Sequence, residues 1–69
     1  MSCKILSKNF YKDMTFASVP LDIAPLRIGD TVNDGAGTVI SSKIAEPLEG
    51  VCRAILVIKG RIDGDELIY

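Results

Sequence analysis

The chain contains no histidine and no tryptophan. Without histidine it lacks the commonest general base and the commonest transition-metal ligand. Ser-His and Cys-His nucleophile pairs cannot be assembled within one copy. Aromatic residues make up only 6% of 69 residues, so the interior has to be built from Ile, Leu and Val. Cysteine is scarce as well: Cys3 and Cys52 form no CxxC pair, no disulfide framework and no structural zinc site. Cys52 lies in an apolar run and reads as a small core residue, and Cys3 reads as a free thiol, which fits a reducing cytoplasm. No apolar run approaches the ~20 residues of a membrane span. The opening MSCKILSKNFYKD has no secretory core, so the expected location is cytoplasmic, with no membrane association.

Charge is close to balanced, with eight basic against nine acidic residues and a net charge of −1. No global field attracts nucleic acid or an anionic membrane. The distribution is uneven, with Lys4, Lys8 and Lys12 at the start and Asp63, Asp65 and Glu66 near the end.

What is present is β-type patterning in one small domain, 1–69. Residues 1–13 are ambiguous: Cys3, Leu6 and Phe10 share a helical face, while Cys3 and Ile5 alternate as in a strand. From Met14 the period shifts to two: Met14 and Phe16 alternate, then Val19, Leu21 and Ile23. Pro20 and Pro25 lack a ladder donor, so an extended edge or wrapping segment over 1–25 is expected rather than a central strand. LRIGDTV and TVISSKI are β-rich and flank NDGAG, where Asp34-Gly35 signals a tight turn and Gly37 a bulge or a close approach. Ala45 to Gly50, with Pro47, reads as a loop.

VCRAILVIKGR is the longest β run. Cys52, Ala54, Leu56 and Ile58 form its apolar face and should point inward. Val51, Arg53, Ile55, Val57 and Lys59 form the other. Asp63-Gly64 suggests a second two-residue hairpin, with Ile62 facing Asp65, Arg61 facing Glu66 and Ile58 facing Tyr69. That register puts Leu67 and Tyr69 with the core and Ile68 near Val57 and Lys59. Four to six short antiparallel strands, with the core in 26–69, suggest an all-β fold closed as a small barrel, because closure removes exposed edges.

The residues Gly29, Asp30 and Val32, then Gly35, Gly37 and Val39, resemble the opening of SH3-like barrels of the Tudor and KOW kind. With Leu56 to Ile58 and Glu66 to Tyr69 as later strands, the pattern over 26–69 is similar to the RNA-polymerase-interacting domain of CarD-like transcription regulators. The resemblance implies an SH3-like barrel that works by binding a protein.

Candidate chemistry is sparse. Asp63, Asp65 and Glu66 have too few neighbours for a calcium loop. Ser41 and Lys43 share a strand face, but a Ser-Lys dyad needs a buried lysine. DGAG lacks the Lys-Ser/Thr and the helix of a phosphate loop. No catalytic residue, metal or cofactor is expected, and the chain is not expected to be an enzyme. Two surfaces remain. Val51, Ile55, Val57 and Ile68 form a half-apolar face suited to another protein or a second copy. Lys4, Lys8, Phe10, Tyr11 and Lys12 interleave cations with rings, the alternative being nucleic-acid binding. The expected function is therefore a small non-catalytic protein-binding or self-associating module. Its size alone fits a phage or mobile-element product.

Overall fold

A computed structural model describes residues 2–20, 26–48 and 51–69, with the side chains of 44–48, 51 and 52 outside the description. The fold is all-β and antiparallel. Its strands are β1 (Ser2–Lys4), β2 (Ser7–Tyr11), β3 (Met14–Pro20), β4 (Thr31–Val32), β5 (Gly37–Leu48), β6 (Val51–Lys59) and β7 (Glu66–Ile68). Five of them form one sheet in the order β2-β3-β6-β5-β4, and β1 pairs with β7 as a separate ribbon.

The ribbon spans the space between the two ends of the sheet. Ile5 N–H donates to the Asp65 carbonyl and so prolongs the ribbon, and on one side Leu6 N–H donates to the Ser18 carbonyl of β3, both at 2.8 Å. On the other side Asn33, just beyond β4, acts as a substitute strand. Its backbone N–H donates to Ile68 O, its Oδ1 accepts from Ile68 N–H at 2.7 Å, and its Nδ2 donates to Glu66 O at 3.1 Å. Side-chain amides satisfy an edge in this way when no backbone partner reaches it.

Burial follows the period of two. β3 buries Thr15, Ala17 and Val19 and half-buries the residues between them. Leu56 and Ile58 of β6 meet Val32, Val39, Ile62 and Leu67 in the core. Side chains of this kind contribute roughly 1.5–3 kcal/mol each when fully buried, so these few residues dominate the stability of so short a chain.

Residues 2–4 and 7–11 resolve as strand, with Ile5 and a bend at Leu6 between them, and β2 is the edge strand that the first segment adds to the sheet. The segment 14–20 is central rather than an edge, since β3 lies between β2 and β6. Pro20 is tolerated because it is the last residue of β3. Pairing with β2 has already stopped at Ser18, and only β6 flanks Pro20, at Arg53. Pro25 lies outside the described residues.

The turn at 33–36 forms as Asp34-Gly35 suggested, with Val32 paired to Gly37. Asn33, Asp34 and Gly35 take φ values of 53°, 57° and 87°, the left-handed conformations a tight β-turn requires. Gly37 opens β5 and is a close approach: Ile58 Cγ2 occupies the space a Cβ would need. The expected loop at 45–50 is mostly strand. β5 continues to Leu48, which pairs with Val51, and the register shifts between Ala45 and Leu48. That shift brackets Pro47, whose missing N–H breaks the ladder without ending it. Residues 49 and 50 lie outside the described residues.

The second hairpin does not form. β6 pairs with β3 and β5, and β7 pairs with β1, at Ser2↔Ile68, Cys3↔Leu67 and Lys4↔Glu66. Ile62 does not face Asp65 in a ladder, and Arg61 instead bonds Asp63, Nε to Oδ1, at 3.0 Å. Residues 60–65 are a connection held by distant side chains. Thr15 Oγ1 donates to Gly60 O at 2.7 Å and accepts from Ile62 N–H at 3.1 Å. Lys8 Nζ donates to the carbonyls of Ile62, Asp63 and Gly64 at 3.0, 2.7 and 2.6 Å. Leu67 is buried and Tyr69 packs against the core as expected, although a different pairing puts them there.

Candidate functional site

Strand pairing fixes which side chains share the outer face of the five-stranded sheet. Three rows cross it from β2 to β5. Tyr11, Met14, Lys59 and Thr38 form the first; Asn9, Phe16, Val57 and Ser41 the second; Ser7, Ser18, Ile55 and Lys43 the third. A fourth, shorter row holds Pro20 and Arg53. Residues directly opposite in antiparallel strands point the same way, so these rows form one surface.

The centre of that surface is apolar. Ile55 is 37% exposed, and Val57, Phe16 and Met14 are half-buried around it. Strands β2 and β3 extend the sheet sideways and do not fold over this face. The face carries Lys43, Arg53 and Lys59, and its described rows contain no acidic residue. Arg53 Nε is buried and finds no hydrogen-bond partner among the described residues.

The expected patch of Val51, Ile55, Val57 and Ile68 is thus only partly assembled. Ile55 and Val57 belong to it. The side chain of Val51 lies outside the described residues. Ile68 is 50% exposed but sits opposite Ser2 in the ribbon, away from Val57 and Lys59. The misplacement follows from the hairpin that does not form. Met14 and Phe16 take its place on the face, brought beside β6 by the β3–β6 pairing. Their alternation in the sequence was the available signal, and the identity of the neighbouring strand was the missing one.

The basic and aromatic segment is divided. Lys8 and Phe10 pair opposite the buried Ala17 and Thr15, and so point to the inner side. The Lys8 side chain is only 17% exposed, and its Nζ spends its donors on three carbonyls and lies 4.0 Å from Asp65 Oδ1. The Phe10 ring has the Arg61 guanidinium 4.3 Å from its centroid and the Lys8 ammonium 5.5 Å away. Tyr11 points to the outer face, with the Lys12 ammonium 5.4 Å over its ring. Lys4 is exposed on β1, opposite Glu66. The five residues therefore do not form one surface, and Lys8 is unavailable to a phosphate.

Ser41 and Lys43 share the outer face, and Lys43 is exposed. Asp63, Asp65 and Glu66 are exposed, and no group of three or more His, Cys, Asp or Glu is placed to hold a metal among the described residues. The Cys3 thiol is pushed above its ordinary value by burial, opposed by a backbone hydrogen bond from Leu67 and reinforced by the Glu66 carboxylate. No helix among the described residues is long and apolar enough to cross a membrane.

Compared with models of protein families, with curated proteins and with solved structures, the chain matches none.

Proposed function

We propose that the protein is a non-catalytic binding module that recognises another protein through the outer face of its five-stranded sheet. The observation that carries this reading is the composition of that face: Ile55, Val57, Phe16 and Met14 at the centre, and Lys43, Arg53 and Lys59 around them. Desolvating such a centre drives association, and the cations select for a partner that brings carboxylates to its apolar surface. Carboxylates on the partner would pair with the exposed cations Lys43 and Lys59 at the edge of the apolar centre.

Nucleic-acid binding through Lys4, Lys8, Phe10, Tyr11 and Lys12 is the weaker reading. Two of its five residues are engaged with the 60–64 connection. The readings separate by mutation and by salt. Ile55→Asp and Lys43→Glu, both at exposed positions of the face, abolish capture of an acidic, apolar partner while leaving the fold intact. Binding to RNA or DNA that falls steeply with salt and survives both substitutions would replace the protein-binding reading.

A further inference from the structure

Strand β2 leaves four of its five residues exposed, and it lies at the end of the sheet. It pairs with β3 on one side, and among the described residues no strand occupies the other. An edge of this kind presents a row of unpaired N–H and C=O groups to any chain that can add to it. Among the described residues seven large hydrophobic side chains are exposed, and three of them, Leu6, Phe10 and Tyr11, lie in β2 or next to it.

We infer that the β2 edge pairs antiparallel with β2 of a second copy, giving a two-fold dimer with a continuous ten-stranded sheet. The inference goes beyond the proposed recognition of another protein by the outer face, and it names a second copy as the partner for this edge. The register of β2 against itself favours a second copy. A two-fold axis perpendicular to the sheet pairs residues of like parity, because opposed residues share a face. Full overlap of Ser7–Tyr11 is reached only when the axis passes through Asn9. Ser7 then opposes Tyr11, Lys8 opposes Phe10 and Asn9 opposes Asn9.

In that register no lysine faces a lysine. Moving the axis to Lys8 sets Lys8 against itself. Moving it to Phe10 sets Lys8 against Lys12. Like charges directly opposite are destabilising in a sheet, so the strand selects its own full-overlap pairing. The two Asn9 amides meet on the outer face, where each can donate to and accept from the other. The outer faces of both copies become contiguous, and the dimer presents two copies of the Ile55–Val57 surface to a partner.

A charge swap at the axis tests this. Asn9 is exposed, so Asn9→Lys and Asn9→Asp leave the monomer folded, which far-UV circular dichroism checks. In sedimentation velocity the wild type moves from monomer to dimer as concentration rises. Each single variant is monomeric, because residue 9 meets its own charge across the axis. An equimolar mixture of the two variants regains the dimer mass. As a second measurement, Asn9→Cys under mild oxidation gives a covalent dimer whose link maps to residue 9 on both chains. A wild type that stays monomeric overturns the inference. So does a dimer unaffected by either charge, a mixture that stays monomeric, or a cysteine variant that gives no 9–9 link. If the dimer persists in the Asn9 variants and is lost in Ile55→Asp, the edge assignment fails and the outer-face reading stands.

Discussion

The ammonium of Lys8 donates to the carbonyl oxygen of Gly64 at 2.6 Å, joining residues 56 positions apart in the chain. It donates equally to Ile62 and Asp63, so one side chain uses all three of its donors to hold the connection between β6 and β7. Thr15 holds the start of the same connection from inside the core. Together they position Ile62 and Leu67, and so the lid of the hydrophobic interior.

Lys8→Met keeps the apolar stem and removes the three donors. Charged hydrogen bonds of this kind are strong, but the site is partly open to solvent, so the expected loss is about 1–2 kcal/mol. Hydrogen exchange should speed up at the amides of 61–65 and change little in β5. Unchanged exchange in 61–65 would show that the clamp does not hold the connection.

Thr15→Val replaces a hydroxyl at a fully buried position with a methyl group of similar size. The Gly60 carbonyl and the Ile62 N–H lose their partner, and unpaired buried groups cost roughly 1–3 kcal/mol each. Urea unfolding should show a midpoint far below the wild type, while Thr15→Ser stays close to it.

Gly60 and Gly64 flank the clamped segment and should respond in opposite ways to alanine. Gly60 has φ +116°, and a Cβ there would collide with the Ala36 carbonyl oxygen. Gly64 has open space around it. Gly60→Ala should cost more than about 3 kcal/mol, strain and collision combined, and Gly64→Ala should leave the thermal midpoint nearly unchanged.

Cys3 should alkylate slowly. Burial, less the Leu67 hydrogen bond and with the Glu66 charge added, favours the neutral thiol in the folded chain. A folded value above the unfolded one means the thiolate fraction near neutral pH is smaller in the native state, and the thiolate is the nucleophile. Iodoacetamide labelling at Cys3, followed by mass spectrometry, should accelerate on unfolding in urea. It should also need a higher pH to reach half-maximal rate in the folded chain.

The parts of this fold that depend on neighbours in sequence were legible. Asp34-Gly35 announced its turn, and the alternation of Leu56 and Ile58 with Ile55 and Val57 announced which side of β6 faces inward. The parts that depend on distant residues were not. Asp63-Gly64 has the chemistry of a hairpin turn, yet Lys8 reaches Asp63 from 55 residues away and Thr15 reaches Gly60 from 45, and together they hold 60–64 as an open connection. A β7 paired to β1 keeps the same alternation as one paired to β6, so the alternation alone puts Leu67 in the core without identifying its partner strand. The same ambiguity moved Ile68 off the candidate face and hid the contribution of Phe16. Pro20 misled because a proline at the last residue of a strand leaves the ladder intact.

The claim that most needs testing is that the outer face of β3 and β6 meets another protein. A photo-cross-linking amino acid at position 55, at the centre of that face, tests it inside the cell, with position 34 in the exposed turn as the control. The account predicts a discrete protein adduct from position 55, lost when Lys43 and Lys59 are both changed to Glu, and none from position 34. Equal labelling from both positions, or no protein adduct from position 55, would contradict it.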